Sequence, residues 1–596
     1  MRVRRCTAAL AVALVFPALL TAQHPRAADA RWVKAALAGM SLRQKVGQMV
    51  WPSVYADYAS TSDSAWFRLR SWIETDQVGG FTMSIGSPME MAAKLNAMQR
   101  MARVPLLVGA DLEAGAGFRA SGGFFLPNAI DLGGATLFPP LMALGAARDT
   151  ALAYAYGRAT AVEGRALGIH IVYGPVLDVN NNAANPVINV RSFGEDPAWV
   201  ARLGASFVRG VQDNGMIATG KHFPGHGDTD INSHLALPVV TASRARLDSV
   251  ELPPFRASIA AGVGAIMTFH GSMPALDSTG APGTLSPAVL TGLLRREMGF
   301  GGLIISDAMD MRGVLDRYGA VEAAKLAVLA GADVLIQPES VPGTIDAIVA
   351  GVMEGRITAA RIDASVRRIL EAKGRLGLAT GTQVDLARLR AVVGDSATRR
   401  LAERVAARSV TLVRDTPSLL PLVASASATP RRILHLVVSR STNLGAGTTF
   451  AAALGRTAGR VQTVVLHPDD PFVDPARILP FVDSSDVVLM ASYLAQQWDQ
   501  ASAGVPDGLG ALVTAIQRRE KPLIVLGFGN PYLGSQLPQI GTYVVAWNGS
   551  RASQLAAARA VLGQQQFNRY IPIAMSISGT SPGTEPKKPL PAAVPR

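Results

Sequence analysis

The sequence predicts an α/β protein in which a (β/α)8 TIM-like barrel is followed by a smaller α/β sandwich domain. From about residue 31 to 380, short β-branched apolar runs alternate with longer helical stretches, the pattern of a parallel sheet built from βα units. Eight such runs occur, which is the number that closes a barrel of this kind. A second, shorter series of strands and helices begins near residue 400. An open doubly wound sheet is the alternative topology for the first series.

The eight runs each precede a helical stretch. In chain order they are VGQMVW near Val46, VGGFTMSI near Val78, VPLLVGADLE near Val104, IHIVYGPVLDV near Ile169, MIATGKHF near Met216, AIMTFHG near Ala265, GLIISDAMD near Gly302 and ADVLIQP near Ala332. Polar residues follow the apolar part of most runs, and these are Asp111, Asp178, Lys221 with His222, His270, Asp307 and Gln337. Because the carboxyl ends of barrel strands carry the chemistry in this fold, we expect these side chains to converge on one mouth.

The second series contains five apolar runs, which are RRILHLVVS, VQTVVLHP, DVVLMASY, KPLIVLGFG and GTYVVAWN. We therefore place a barrel at 31–385, a linker at 386–400 and the sandwich at 401–577. The turn GFGNPYLG lacks the G-x-G-x-x-G spacing of a phosphate loop, so we interpret it as a tight strand exit. The proline-rich tail 578–596 has no apolar period and is predicted to be disordered.

Residues 1–30 have the features of an export signal: a basic start, an apolar run and small-residue exit points at Ala22 and Ala30. Pro17 and the short length of the run argue against a membrane anchor and predict no stable membrane insertion. The only cysteine, Cys6, lies inside this signal. The mature protein is therefore expected to be exported, to the periplasm, cell envelope or extracellular space, without disulfides or cysteine-ligated metals.

Composition excludes some classes of partner. The chain has 596 residues, of which 49% are hydrophobic and 17% charged, and a formal net charge of +13. Such a charge suits attraction to polyanions such as cell-wall polymers. No run of Lys and Arg with interleaved aromatic residues occurs outside the signal, so we predict no nucleic-acid binding.

The stretch KHFPGHGDTDINSH contains three of the eight histidines in the chain. Two histidines four apart chelate a metal from one helix face, but Pro224, Gly225 and Gly227 prevent a helix here, so we predict no metal site. We expect the middle histidine, His226, to order the loop. His222 stands at a strand end and His234 at the far end of a glycine-flanked loop, which makes both candidates for proton handling or substrate contact.

This loop, together with LLRREMGFGGLIISDAMDM from Leu293 to Met311, resembles glycoside hydrolase family 3. The likeness is to the β-N-acetylhexosaminidase branch, whose signature is a KHFPGHG loop running on to Asp-Ser-His. It covers nearly the whole mature chain, including a sandwich that opens with RSVTLVRDTPSLLPL. The resemblance implies a retaining exo-glycosidase without a cofactor, which removes terminal β-linked N-acetylglucosamine from cell-wall (peptidoglycan) or chitin-type oligosaccharides.

The resemblance also implies roles for single residues. Asp307, which follows Ile-Ile-Ser, matches the nucleophile that forms a covalent glycosyl-enzyme. His234 matches the acid/base, a task that suits imidazole because its ordinary pKa lies near neutrality. Sugar binding is implied for Asp111, Arg191, Lys221 and His222, with Glu113 and His270 as weaker candidates.

The sequence departs from the family pattern at Asn232. The family has an Asp two residues before the histidine, which orients the ring and supports its basicity. Asn232 can still orient the ring of His234 through its amide oxygen, but it brings no charge. Asp228 or Asp230 could supply that charge from the same loop, or the enzyme could work with a more acidic histidine and a lower pH optimum.

Two other functions stay open at this stage. A β-glucosidase or xylosidase of the same family would use the same nucleophile and take its acid from the second domain. A non-catalytic envelope glycan-binding protein would keep the fold but lose Asp307 or the loop, and both are present. The sequence does not determine the natural glycan, the oligomeric state, or whether water or phosphate accepts the sugar.

Overall fold

The computed structural model describes residues 27–124, 130–131, 133–422, 431–468, 474–495, 505–506 and 508–575. The predicted tail, 578–596, and all but the last four residues of the predicted signal lie outside these ranges. Within them, no helix has the length and apolar character needed to span a membrane.

Eight parallel strands form the first sheet. They are β1 (Val50–Trp51, continued by Ser53–Val54), β2 (Gly80–Met83), β3 (Leu107–Ala110), β4 (Ile171–Val172), β5 (Ile217–Phe223), β6 (Ala265–Thr268), β7 (Leu303–Ile305) and β8 (Leu335–Ile336). Each pairs in parallel with the next along the chain. The ring closes because Val50 pairs with Leu335, so the predicted barrel is confirmed and the open doubly wound sheet is wrong.

Helices follow every strand and cover the outside of the barrel. After β1 to β8 they are, in order, Ser64–Glu74; Pro88–Met101; Leu141–Ala147 and Thr150–Leu167; Pro197–Gln212; Arg244–Ser249 and Leu252–Ala260; the π-helix Ala288–Glu297; Arg312–Ala330; and Val341–Met353 with Ala359–Arg375. Two more, Ala27–Ala38 and Leu42–Gln48, precede β1. Local sequence fixes several starts: Ser87 caps the helix that opens with Pro88, and Asp196 caps the one that opens with Pro197.

Large apolar side chains lie in the core of the barrel domain, among them Trp51, Phe81 and Phe223, which have no exposed surface. The loops at the carboxyl ends of the strands are longer than the connections at the other end. Three of them contain short 3-10 turns, which are Ala116–Phe118, Asn189–Arg191 and Gly283–Leu285. The room for a functional site is therefore at the carboxyl-terminal mouth.

The second sheet has six strands. They are β9 (Thr411–Asp415), β10 (Arg431–Val438), β11 (Gly459–Leu466), β12 (Val487–Ser492), β13 (Leu523–Gly527) and β14 (Thr542–Val545), in the spatial order β9-β14-β13-β12-β10-β11. Only β9 is antiparallel to its neighbour. The accompanying helices are Leu389–Val392, Ser396–Ser409, Thr448–Gly455, Pro475–Asp483, Leu509–Gln517, Leu533–Gln536 and Arg551–Val561. The predicted sandwich is confirmed, with β9 as a strand in addition to the five predicted.

The turn GFGNPYLG, which follows β13, contacts the barrel. The side-chain amide of Asn180, in the loop after β4, donates to the Tyr532 hydroxyl oxygen at 2.8 Å. Asn189, in the same loop, donates to the side-chain oxygen of Asn530 at 3.5 Å. The turn is thus a strand exit, as predicted, and it also holds a loop at the barrel mouth.

Candidate active site

Asp307 is the second residue after β7, at the carboxyl end of the barrel. Its backbone N–H donates to Oγ1 of Thr268 at 3.1 Å, and its own Oδ1 accepts from the N–H of Ala308 at 2.8 Å. The residue is half-buried. One carboxylate oxygen is therefore held by the local turn, and the rest of the group can face a ligand.

His270 supports the same turn from β6. Its Nε2 lies 2.9 Å from the carbonyl oxygen of Ala308, so Nε2 carries the proton and donates it. Nδ1 then accepts from the Thr284 hydroxyl at 2.7 Å, and the Thr284 oxygen lies 2.6 Å from that of Thr268. This chain of bonds starts and ends on the turn of Asp307 and fixes its backbone.

Three histidines surround Asp307 and set its charge. Burial raises the pKa of the Asp307 carboxyl, but the electrostatic effect of the nearby His222, His270 and His234 and the hydrogen bond from the N–H of Ala308 outweigh burial and lower this pKa below its ordinary value. The side chain is thus an anion at neutral pH. An ionised carboxylate at this place can act as a nucleophile or stabilise a positive charge on a ligand.

Asp178 organises the loop that follows β5. Its two oxygens accept the N–H of His222 at 3.1 Å each, and one also accepts the N–H of His226 at 2.7 Å. Its Oδ2 is 2.7 Å from Nδ1 of His222. The sequence marked Asp178 as a strand-end polar residue without giving it a role, and here it orients the imidazole of His222.

His226 orders the loop, as predicted. Nδ1 lies 2.8 Å from the Thr229 hydroxyl and Nε2 lies 3.0 Å from the Ser233 hydroxyl, so both ring nitrogens are used. Burial and the nearby His222 lower its pKa to about 3, which keeps the ring neutral. In the part of the chain that the structure describes, no group of His, Cys, Asp and Glu side chains is arranged to hold a metal ion.

Asn232 holds the imidazole of His234. Its Oδ1 accepts both the backbone N–H of His234 and its Nδ1–H, each at 3.0 Å, so in the neutral ring Nε2 carries no proton and is the nitrogen that can take one up. Burial lowers the pKa of His234 more than the charge of Asp307 raises it, with further lowering by Arg191. At neutral pH this imidazole is therefore mainly neutral.

Five charged residues form an ion-pair network on the other side of the mouth. Lys221, which is almost fully buried, donates to Asp111 at 2.8 Å and to Glu113 at 2.6 Å. Arg191 makes a two-point contact with Glu113, at 2.9 and 2.6 Å. Arg119 donates to the second oxygen of Asp111 at 2.5 Å. The carboxylate partner of Arg191 is thus Glu113, 78 residues earlier in the chain.

The network keeps every member charged. Burial raises the pKa of Glu113, but Arg191 and Lys221 lower it to about 2, and Lys221 with Arg119 holds the pKa of Asp111 well below its usual range. The same carboxylates raise the pKa of Arg191 and of Lys221 above their ordinary values, against the effect of burial. Fixed charges in a site shielded from water orient a neutral polyhydroxylated ligand by strong hydrogen bonds.

The structure brings most of the predicted site residues into linked contacts at one mouth. Hydrogen bonds connect Asp111, Lys221, Arg191 and Glu113 in one network, Asp178 with His222 in a second, Asp307 with His270 in a third, and Asn232 with His234 in a fourth. Gln337 is the exception, because its side chain has no hydrogen bond to another described residue. Sequence reasoning missed Arg119, which no motif marks.

Comparisons with known proteins agree with this geometry. Residues 41–372, more than half of the chain, match the protein family described as "Glycosyl hydrolase family 3 N terminal domain". The chain belongs to glycosyl hydrolase family 3. Among curated relatives, a β-N-acetylglucosaminidase/β-glucosidase of Cellulomonas fimi is 29% identical over 566 residues, covering 91% of this chain and 95% of that protein. β-Hexosaminidase A of Pseudoalteromonas piscicida is 30% identical over 458 residues, covering 70% and 72%.

A solved structure supports both domains of this family 3 glycoside hydrolase. It is a glycoside hydrolase family 3 β-N-acetylglucosaminidase from Paenibacillus sp. str. FPU-7, which is 34% identical and superimposes with a TM-score of 0.78. The match covers 91% of this chain and all of the other. The resemblance predicted from the two sequence motifs is thus confirmed at the level of the family and of the fold.

Proposed function

We propose that this glycoside hydrolase is a retaining exo-glycosidase that removes terminal β-linked N-acetylglucosamine, with Asp307 as the nucleophile and His234 as the acid/base. The observation that supports this most is the setting of His234. Its Nδ1–H is held by Asn232, so Nε2 is the ring nitrogen that takes up and gives back a proton, and the charge of Asp307 acts on its ring. The hexosaminidase names of the relatives support the choice of sugar.

The proposed reaction has two steps. In the first, the Asp307 carboxylate attacks the anomeric carbon while the glycosidic C–O bond breaks, and His234 gives its Nε2 proton to the departing oxygen. In the second, a water molecule gives a proton to His234 and its oxygen attacks the same carbon. The bond to Asp307 then breaks, and two inversions leave the sugar with its original configuration.

The binding residues have separate tasks in this proposal. Asp111 accepts hydrogen bonds from hydroxyl groups of the terminal sugar, and Lys221 and Arg191 donate to hydroxyl or acetamido oxygens. His222 contacts the sugar through Nε2, because Asp178 holds its Nδ1. Asn232 and Asp178 position the two imidazoles and touch no reacting atom.

We further propose export to the periplasm, cell envelope or extracellular space, where peptidoglycan fragments or chitin oligomers would be the substrates. The N-terminal sequence supports export, and the net charge of +13 suits anionic envelope polymers. Cleavage after Ala22 would keep the helix Ala27–Ala38 whole, whereas cleavage after Ala30 would remove its first turn. N-terminal sequencing of the exported protein distinguishes the two sites.

The name of the Cellulomonas relative also includes β-glucosidase, so β-glucosidase is the second candidate. The decisive experiment is turnover of aryl β-N-acetylglucosaminide beside aryl β-glucoside and β-xyloside, with and without phosphate. The proposal predicts a kcat/KM at least about tenfold higher for the N-acetylglucosaminide. A preference for glucoside or xyloside would favour the alternative, and binding without turnover would favour a glycan-binding protein. Formation of sugar phosphate would identify phosphate as the acceptor.

A further inference from the structure

In the described part of the chain, most of the exposed aromatic side chains lie on loops at the barrel mouth. Within the described ranges, four aromatic residues are largely exposed: Tyr55 (67%), Tyr58 (77%), Phe67 (57%) and Phe118 (43%). Tyr55, Tyr58 and Phe118 lie in the loops after β1 and β3, whereas Phe67 lies on the helix after β1. Exposed apolar side chains scattered singly over a surface are ordinary, whereas several on adjacent segments indicate an interaction surface.

Backbone hydrogen bonds hold three mouth loops side by side. The N–H of Ala56 donates to the carbonyl of Ile85 at 3.0 Å, and the N–H of Gly86 donates to the carbonyl of Arg119 at 3.1 Å. Gly86 also pairs with Ala120 as an isolated parallel bridge. The parallel sheet therefore continues beyond β1, β2 and β3. We call Tyr55, Tyr58, Ile85 and Phe118, on these loops, the aromatic rim.

The rim is fixed before any ligand arrives. Lys94, on the helix after β2, donates through Nζ to the carbonyls of Tyr55 at 2.7 Å and Asp57 at 3.0 Å. Gly86 lies so close to Ala56 that a Cβ added there would be 2.6 Å from the Ala56 Cβ. A preformed surface saves the entropy that a mobile loop would lose on binding.

The rim is continuous with the ion-pair network of the candidate site. The guanidinium of Arg119 lies over the ring of Phe118, 4.9 Å from its centre. The same guanidinium donates to Asp111, whose other oxygen accepts from Lys221. An uninterrupted series of contacts thus leads from the buried network to the exposed aromatic rings.

We propose that the aromatic rim binds the leaving-group sugars of the substrate, meaning the rings beyond the bond that is cut. This proposal rests on the proposed function, because it places the terminal sugar in the polar site below. Sugar rings have C–H faces that are attracted to the negative face of an aromatic ring. Tyr55 and Tyr58 add hydroxyl groups that can bond sugar hydroxyls. The enzyme would then prefer oligosaccharides to glycosides with a small leaving group.

The test compares two substrates in one double variant, Tyr55→Ala with Tyr58→Ala. One substrate is an aryl β-N-acetylglucosaminide, which does not extend to the rim, and the other is a β-linked N-acetylglucosamine trimer. We expect the variant to lose about tenfold in kcat/KM on the trimer, mainly through KM, and to stay within about twofold on the aryl glycoside. Tyr55→Phe with Tyr58→Phe keeps both rings and should keep most of the activity on the trimer.

Met353→Ala is the matched control. Met353 is 79% exposed and lies at the carboxyl end of a barrel helix, on the opposite end of the molecule from the mouth. The Met353→Ala variant should keep the wild-type kcat/KM on both substrates. An equal loss on both substrates in the tyrosine variant, or no loss on the trimer, would overturn the proposal. So would a wild-type dimer that the tyrosine variant dissociates, because the rim would then bind a second copy of the chain.

Failure of the proposed function gives a different result. The wild type would then turn over neither the aryl glycoside nor the trimer. Calorimetric titration with the trimer still decides the role of the rim in that case. Binding by the wild type that the tyrosine variant loses would uphold a glycan surface, and absence of binding by the wild type would overturn it.

Discussion

At the scale of single residues, the pair Asn232 and His234 has the largest consequence for the proposed chemistry. Burial already lowers the pKa of His234, and Asn232 orients the ring without adding a charge that would oppose this effect. The protonated acid is therefore scarce at neutral pH. The enzyme is expected to work best on the acid side of neutrality for substrates whose leaving group needs a proton.

Asn232→Asp tests this account. The new carboxylate should keep the hydrogen bond to Nδ1 and add a negative charge, which raises the pKa of His234. The limb of the pH–rate profile that His234 governs should move upward by about 1 to 3 pH units. The measurement is kcat/KM against pH for an oligosaccharide substrate.

His234→Ala is the companion variant. This variant should slow the hydrolysis of an oligosaccharide far more than that of an aryl glycoside with a good leaving group. Only the leaving group of the oligosaccharide needs a proton as it departs. An unchanged pH profile in Asn232→Asp, with equal losses on both substrates in His234→Ala, would remove His234 from the acid/base role. The search would then turn to Asp228 and Asp230.

The sequence predicted the site residues that follow strands or lie in long motifs, such as Asp307 and His222. It could not predict how these residues pair. Glu113 appeared as a weak candidate, although it connects Lys221 and Arg191 in the folded protein. Arg119 was missed altogether. Such contacts join loops after different strands, and no spacing along the chain reveals them.

At the scale of secondary-structure elements, helix Ala359–Arg375 packs against the two helices that precede β1. Lys373 on this helix has no exposed surface, and Nζ donates to Oε1 of Gln48 at 2.6 Å. Burial lowers the pKa of Lys373 from 10.5 to about 7. The folded protein therefore binds a proton here less readily than the unfolded chain, and this difference destabilises the fold at neutral pH.

Lys373→Met should stabilise the protein at pH 7 by about 1 to 4 kcal/mol, because methionine fills similar space without a charge. The unfolded lysine holds its proton between pH 7 and 10.5 while the folded one loses it, so the stability of the wild type rises with pH across this window. The gain from the substitution should therefore be full below about pH 7 and vanish near pH 10.5. Chemical denaturation of both proteins at several pH values measures this gain in the free energy of unfolding. A gain that does not vary with pH would contradict the assignment to proton binding.

Strand periodicity predicted nearly all elements, because buried parallel strands are near-continuous apolar runs. β9 is the exception. Its sequence, TLVRD, is half polar because it is an antiparallel edge strand with only partial burial. The signal that distinguishes such a strand from a loop is its pairing with β14, which is more than a hundred residues away.

At the scale of the whole molecule, the second domain supports the mouth of the barrel. Asn180 donates a hydrogen bond to the hydroxyl of Tyr532. Asn180 is two residues after Asp178, which orients His222. The interface therefore reaches the candidate site through one short loop.

Tyr532→Phe removes the hydroxyl that Asn180 bonds and leaves a buried amide donor without this acceptor. We expect a loss of about 1 to 3 kcal/mol in the free energy of unfolding. We also expect a lower kcat/KM with an unchanged pH profile, since the loop loosens while His234 keeps its surroundings. Chemical denaturation measures the free energy of unfolding, and kinetics on the same preparation measure kcat/KM against pH.

Tyr543→Phe is the control for this prediction. Its hydroxyl donates to the carbonyl of Pro531 within the second domain, at 2.9 Å. This variant should lose stability and keep kcat/KM. If Tyr532→Phe behaves in the same way, the interface contributes only stability.

The most direct test of the account is capture of the covalent intermediate on Asp307. The wild-type protein is treated with a fluorinated N-acetylglucosaminyl donor that forms the glycosyl-enzyme faster than water releases it, and the labelled peptide is identified by mass spectrometry. We predict one sugar per chain, attached to Asp307 in the peptide that contains LIISDAMDM, and no label on Asp307→Ala. A label on another carboxylate, or rapid turnover that inverts the sugar and leaves no label, would contradict the account.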